Sequence, residues 1–509
     1  MKDKEQLFEL VKSMNSNEKG YFKKFCKIYS STFENIYFKV FSLIEKQEKY
    51  DEQGIIKSIY KNKKISNFSR TKSYLYHLIL KSMRNYYSER KCNQLSILLD
   101  DIEFLHSKAL HKQCQNIIRK GIKLSQSMED YNLTMKFLDW ESTYLLTNNP
   151  KKNIDDKLND NRKALKEAYK KTENINQYRK ILMEMRNAIF DKGFIIREHN
   201  AVLKINKLIQ SPFLKDEQLA QSNTAKDYMF TALIMYNNAI GDWNNYLKYS
   251  YAHFNIIKNK NKHLYNTDKN IVSIWNILVG LFKTRKFEDI PIILKELTEI
   301  KTSDEESNTM QQTTYLHYEI NYFIRTGQFK NLQNAAIDIN NLLKTKNKYL
   351  TIGDKIELYF DLFYLHFVTN DFENALLWIN TILNLNKQDL RLDVISFARI
   401  FNLLIHFELN NFRILEYQIY STERFLNKNK VLFESEKVIL QFLKKYLDEP
   451  EKTKRKRIIE KSIEKMMLLS KNPKEERFYE FFGFIDWLKS KLENTSIDIL
   501  IKRNQSRPK

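Results

Sequence analysis

The chain has 509 residues, enough for several domains or one long array, and 42% of them are apolar, so it can bury a core and disorder is not its default. Nine glycines and six prolines are too few for the tight turns of a sheet protein, which argues for helices joined by Asn, Asp, Ser and Lys. The net charge of +23 is open to two explanations: a polyanionic partner, or the lysine that accompanies abundant Asn, Ile and Tyr when codons are A/T-rich.

The N-terminus, MKDKEQLFELVK, carries charges where a signal peptide needs an apolar stretch. The longest uncharged apolar-rich run, 272–282, is far short of the ~20 residues that span a bilayer. Cys26, Cys92 and Cys114 are widely spaced and form neither a disulfide framework nor a metal knuckle. A cytoplasmic protein without membrane insertion is expected.

Residues 1–91 are expected to form an N-terminal helical cap. LFELVKSM and GYFKKFCKIY read as two helices, with Ser16 or Asn17 capping the second. NIYFKVFSLIEKQ follows, Asp51 opens GIIKSIYKN, and Ser69 is expected to cap RTKSYLYHLILKSMRNYY. In that last helix Leu75, Leu78, Ile79, Ser82 and Tyr86 share one face, and Arg70, His77, Lys81 and Arg84 the opposite one. Nine Lys or Arg stand against one Glu between Lys57 and Arg90. Residues 51–90 therefore resemble a basic helix-turn-helix reader, with Arg70, Lys72, Lys81 and Arg84 as candidate nucleic-acid contacts. A solvated amphipathic face filled by lysine accounts for the same pattern, and beyond Arg70 no base-reading set is evident.

Residues 92–449 are periodic. Trp243, Phe287, Phe329, Phe372 and Phe412 each follow a short polar turn, at steps of 44, 42, 43 and 40 residues, with apolar-periodic runs on both sides. Extending the spacing backwards reaches His199-Asn200, Pro150 and Leu110, giving eight candidate hairpins from about 92 to 445. One hairpin cannot bury its own apolar face; stacked hairpins bury a continuous core. The turns GDW, GQF and NDFENAL, with Phe372 and Ala375 the best match, resemble the tetratricopeptide repeat. Together with the N-terminal segment they are similar to degenerate tetratricopeptide-like bacterial proteins of unassigned function. Tyr246, Ile290, Leu332 and Leu415 stand where that family places Ala, and the period is longer than its 34 residues. The resemblance implies an all-α, right-handed α-solenoid whose groove is lined by the first helix of each pair. Carried onto this register, the groove candidates are Asn187, Asp191, Tyr228, Asn238, His317, Asn321, Glu357 and Tyr364. Trp275, Phe282, Leu404 and Phe407 make equivalent places apolar.

Residues 450–501 are expected to form a C-terminal helical cap. KTKRKR (452–457) reads as a solvated first turn. Phe478, Phe481, Phe482, Ile485, Trp487 and Leu488 are too apolar for an exposed helix and are expected to cover the last repeat's open face, or else to bind a partner. Residues 502–509 are expected to be a disordered tail.

The chemistry-bearing motifs are missing. The glycines are too scattered for a phosphate loop, and HExxH, GxSxG and EF-hand patterns do not occur. His106, His111 and Cys114 are too few for a tetrahedral metal site. Asp100, Asp101 and Glu103 fall on a polar helix face, and the five tryptophans read as core. No catalytic, cofactor or metal-binding residue is expected. The sequence points to a non-catalytic scaffold binding a protein or peptide, with a nucleic-acid-associated regulator as the alternative.

Overall fold

The structure is a computed structural model that describes residues 5–29, 36–60, 68–87, 91–148, 154–190, 199–259, 267–302, 304–385, 391–472, 475, 478–479 and 482–505. Among these residues every regular element is a helix. The chain divides into two compact units, Met1–Tyr169 and Lys170–Lys509.

The first unit opens with α1 (Gln6–Ser13), α2 (Ser16–Tyr29), α3 (Ile36–Lys46), α4 (Glu52–Tyr60) and α5 (Phe68–Tyr86). They share a core of Leu7, Val11, Phe22, Phe41, Ile44, Ile55, Leu75 and Ile79. The helix starts differ from expectation by a residue or two. Asn15, not Ser16 or Asn17, caps α2: its Oδ1 accepts the Glu18 N–H at 2.9 Å, and the Glu18 carboxylate accepts the Asn15 N–H at 2.7 Å. This reciprocal pair satisfies two amides at once. Ser69 lies inside α5 and is not its cap. Asp51 does cap α4, accepting the Gly54 N–H at 2.9 Å. Next come α6 (Lys91–Ser107), α7 (His111–Ser127) and α8 (Tyr131–Asn148), packed through Leu95, Ile102, Ile118 and Phe137.

Two helices were expected between Pro150 and His199; the structure has one, α9 (Ile154–Phe190). Nothing in 154–190 breaks it: the segment contains neither Gly nor Pro. Buried Asn161 ties its start to α8, donating to the Leu138 carbonyl at 3.0 Å and the Glu141 carboxylate at 2.9 Å. The expected division at Pro150 lies outside the described residues, whereas His199-Asn200, expected as a turn, open the next helix (His199–Ile209).

In the second unit, α10 (His199–Ile209) and the short α11 (Pro212–Lys215) lead into a series: α12 (Asn223–Ile240), α13 (Trp243–Asn259), α14 (Thr267–Lys283), α15 (Ile290–Thr298), α16 (Glu305–Arg325), α17 (Leu332–Thr345), α18 (Ile352–Val368), α19 (Phe372–Leu383), α20 (Leu392–Glu408), α21 (Phe412–Lys428), α22 (Glu434–Asp448) and α23 (Lys452–Leu469). Each packs on the next, and α16 also packs on α14 and α18.

The turns after α12, α14, α16, α18 and α20 share one geometry. Gly241, Arg285, Gly327, Asn370 and Asn410, each two residues before the aromatic, have φ of +77°, +57°, +68°, +61° and +56°. The next N–H reaches back to close the helix end: Asp371 to the His366 carbonyl at 2.8 Å, Gln328 to Phe323 at 2.8 Å, Asn411 to His406 at 3.0 Å. These are left-handed helix caps, which favour Gly and tolerate Asn. The opening aromatic then packs on the helix it follows: the Phe372 ring stands edge-on to Phe367 at 5.3 Å, and Ala375 is fully buried. The first unit repeats the device at Ala109 (φ +55°) and Glu129 (φ +54°), the latter before Tyr131 at a turn the spacing had not indicated.

The C-terminal segment departs most from expectation. α24 (Phe484–Leu492) and α25 (Ile497–Gln505) do not simply close the last repeat. The residues from Phe478 onward share a core with α16 to α23. Glu475 caps α22, accepting the Ser435 hydroxyl at 2.7 Å. Phe482 packs on Tyr364, Phe367 and Phe401 at 5.5, 5.1 and 5.4 Å, and Trp487 on Phe407 and Phe442 at 5.6 and 5.7 Å. α25 continues to Gln505, four residues past Ile501, where the tail was expected to start. Phe481 lies outside the described residues.

Candidate functional site

Of the expected groove candidates, Tyr228 and Asn238 lie on α12, His317 and Asn321 on α16, and Glu357 and Tyr364 on α18. Those at spacings of three, four and seven share one face. Along that face the structure shows three kinds of surface.

A polar cluster joins α16 to α18. His317 Nδ1 is 2.7 Å from Asp361 Oδ2, and its Nε2 is 3.3 Å from Glu357 Oε1. Asn321 donates to Asp361 Oδ1 at 3.0 Å and to the His317 carbonyl at 2.8 Å. Asp361 is buried, whereas the Glu357 side chain is 40% exposed. Burial pulls the imidazolium pKa down, but the charges of Asp361 and then Glu357, with the Asp361 hydrogen bond, outweigh it and hold His317 at about 9. Burial raises the Glu357 pKa, with His317 opposing and Asp361 and Asp354 adding to the rise. At neutral pH the group is a protonated histidine clamped between two carboxylates. The sequence selected His317, Asn321 and Glu357 but not Asp361, which accepts from both His317 and Asn321.

A second buried group joins α12 to its neighbours. Asp227 accepts from His253 Nε2 at 2.8 Å, on α13, and from Lys269 Nζ at 2.6 Å, on α14. Burial pushes its pKa up, but the His253 hydrogen bond and charge, with Lys269, hold the carboxyl well below the ordinary range.

The third kind of surface is apolar. On α20 and the end of α18 it is covered: Leu404 is fully buried, and Phe407 and Tyr364 lie under Trp487 and Phe482. Tyr364 is therefore a buried packing residue and not part of an open groove. On α14 it is open: Val272 is 38% and Trp275 36% exposed, with Val279 and Phe282 half-buried on the same side. Trp275 is thus not a core residue; of the five tryptophans only Trp487 is fully buried.

The remaining candidates are dispersed. Asn187 is exposed on α9. Tyr228 is half-buried beneath the Arg179 guanidinium at 5.6 Å. Asn238 is half-buried near the end of α12, where its carbonyl accepts the Gly241 N–H at 3.4 Å. Asp191 lies outside the described residues.

In the first unit Arg70, His77, Lys81 and Arg84 form an exposed row along α5. Lys72 does not join them. Its ammonium is 2.7 Å from Glu52 and lies over the Phe68 ring at 5.5 Å, so it fastens α5 to α4. The expected turn 61–67 is outside the described residues. His106 stands edge-on to Trp140 at 5.3 Å and to His111 at 6.1 Å, and the Cys114 thiol is buried against the Ile102 carbonyl at 3.8 Å. Asp100, Asp101 and Glu103 are exposed. Among the described residues no group of three His, Cys, Asp or Glu is arranged to hold a metal ion, and no helix is long and apolar enough to cross a membrane. No protein-family model, no curated protein and no solved structure matches the chain.

Proposed function

We propose that this chain is a non-catalytic scaffold: a right-handed, tetratricopeptide-like α-solenoid whose first helices form a concave surface for a protein or peptide partner. The observation that carries this reading is the C-terminal segment. It lies against α18, α20 and α22 as a helical ligand would, with aromatic anchors in an apolar stretch and a charged residue held by a carboxylate. On α14 the apolar side chains of Val272 and Trp275 are exposed. Recovery of partners from the native host tests the reading. Substituting Trp275 and Val272 by Ala should abolish recovery of any specific partner. Substituting exposed Leu377 and Tyr417, on α19 and α21, should leave it intact. Partners lost equally with both pairs, or with neither, contradict it.

A second reading is favoured by the exposed row on α5, in which Arg70, Lys81 and Arg84 contact phosphates. It predicts binding to random duplex DNA that weakens steeply as salt rises. Undiminished binding by a triple Ala variant, or no binding at low salt, removes it.

A further inference from the structure

The chain's own C-terminal segment shows which chemistry this face accepts. On α20 the apolar positions Phe397, Phe401 and Phe407 receive Phe478, Phe484 and Trp487, at ring separations of 5.6, 5.9 and 5.6 Å. One carboxylate then fixes orientation: Glu408 accepts the Trp487 indole N–H at 2.6 Å and holds the Lys491 ammonium at 2.6 Å. Trp487 and Lys491 are four residues apart, on one face of α24. The bound element is therefore an amphipathic helix with aromatic anchors and a lysine one turn beyond.

α14 offers apolar side chains that are open to solvent. Val272, Trp275, Val279 and Phe282 recur at helical spacing, and Phe282 rests on Tyr318 of α16 at 5.5 Å. The carboxylate half lies further along the face, on α18. Glu357 is 40% exposed and, with buried Asp361, faces the single imidazole of His317, so two carboxyl groups share one basic group. α16 packs on both α14 and α18. At 8–10 Å per packed pair, the stripe and Glu357 are about 20 Å apart, or about thirteen residues of helix at 1.5 Å each.

Resting on the scaffold reading above, we infer that the uncovered stretch from α14 to α18 takes an amphipathic helix of a partner protein. Its aromatic or large aliphatic anchor seats on Val272 and Trp275. Its Lys or Arg, three to four turns away, faces Glu357. The charge complementarity between its Lys or Arg and Glu357 sets the polarity of the bound helix.

The test uses the full-length chain and a fluorescein-labelled peptide of residues 478–493, FYEFFGFIDWLKSKLE, read by anisotropy. A second peptide carries Lys489→Glu and Lys491→Glu. The expected result is saturable binding of the first peptide, weakened at least tenfold by Trp275→Ala and several-fold by Glu357→Gln. Glu408→Gln should leave it unchanged, and the second peptide should bind at least tenfold more weakly. Circular dichroism confirms that each variant keeps its helix content. Loss of binding with Glu408→Gln but not Trp275→Ala means that the peptide exchanges with the chain's own segment, and overturns the inference. Equal, Trp275-dependent binding of both peptides overturns the partner's charge while leaving the scaffold reading in place. Binding of neither peptide overturns the inference, and the partner-recovery experiment then decides the scaffold reading separately.

Discussion

His317 is fixed by two carboxylates, and the direction of its shift sets a pH dependence. Its folded pKa, about 9, is above the unfolded value of 6.5. The clamp therefore stabilises the second unit fully below about pH 6.5 and loses that contribution as pH rises toward 9. At 1.36 kcal/mol per pKa unit the contribution is about 3 kcal/mol. Urea unfolding at pH 6 and pH 9.5 should show a loss of this size in the wild type and a much smaller one in His317→Asn. Identical pH profiles would remove the clamp. Asp227 behaves oppositely. Its depressed pKa stabilises the fold above the unfolded value of 3.8 and loses that stabilisation only as pH falls through the folded value. Asp227→Asn should therefore destabilise at pH 7 by about 2 kcal/mol or more, since it removes the partner of buried His253. Asp361 was within reach of sequence reasoning. It follows Glu357 by one helical turn and His317 by 44 residues, in step with the hairpin spacing. It was missed because burial, the property that distinguishes it, depends on which helices touch.

At the scale of elements, the left-handed cap is the recurring unit. Aromatic and polar residues marked five of these turns in the sequence because left-handed backbone and a packed ring both restrict residue choice. Glu129 before Tyr131 escaped because nothing in its composition signals positive φ. The caps make opposite predictions for two residues. Gly327→Ala, at φ +68°, should cost about 1 kcal/mol, and Arg285→Gly, at φ +57° and exposed, should gain about 0.5 kcal/mol. Denaturant midpoints moving in the same direction would contradict the shared geometry. The long helix α9 marks where periodicity misleads. An extrapolated spacing suggested two helices, but a segment with neither Gly nor Pro stays one helix.

At the scale of the molecule, the C-terminal segment is the main departure from the sequence reading. Its apolar content showed that it must be buried. Its contacts with helices more than seventy residues earlier could not be read from local pattern, because Trp487 and Glu408 meet only through the fold. Trp487→Ala should cost about 3 to 5 kcal/mol, and truncation before Phe478 should expose Phe397, Phe401 and Phe407 to a hydrophobic dye. Wild-type stability and no dye binding in both variants would show that the segment is not part of the core. The central claim concerns the face that the segment leaves open. Backbone hydrogen exchange of the full-length chain, with and without saturating 478–493 peptide, tests it most directly. The account predicts new protection confined to α14, α16 and α18. Protection confined to α19 and α21, or to α5, would contradict it.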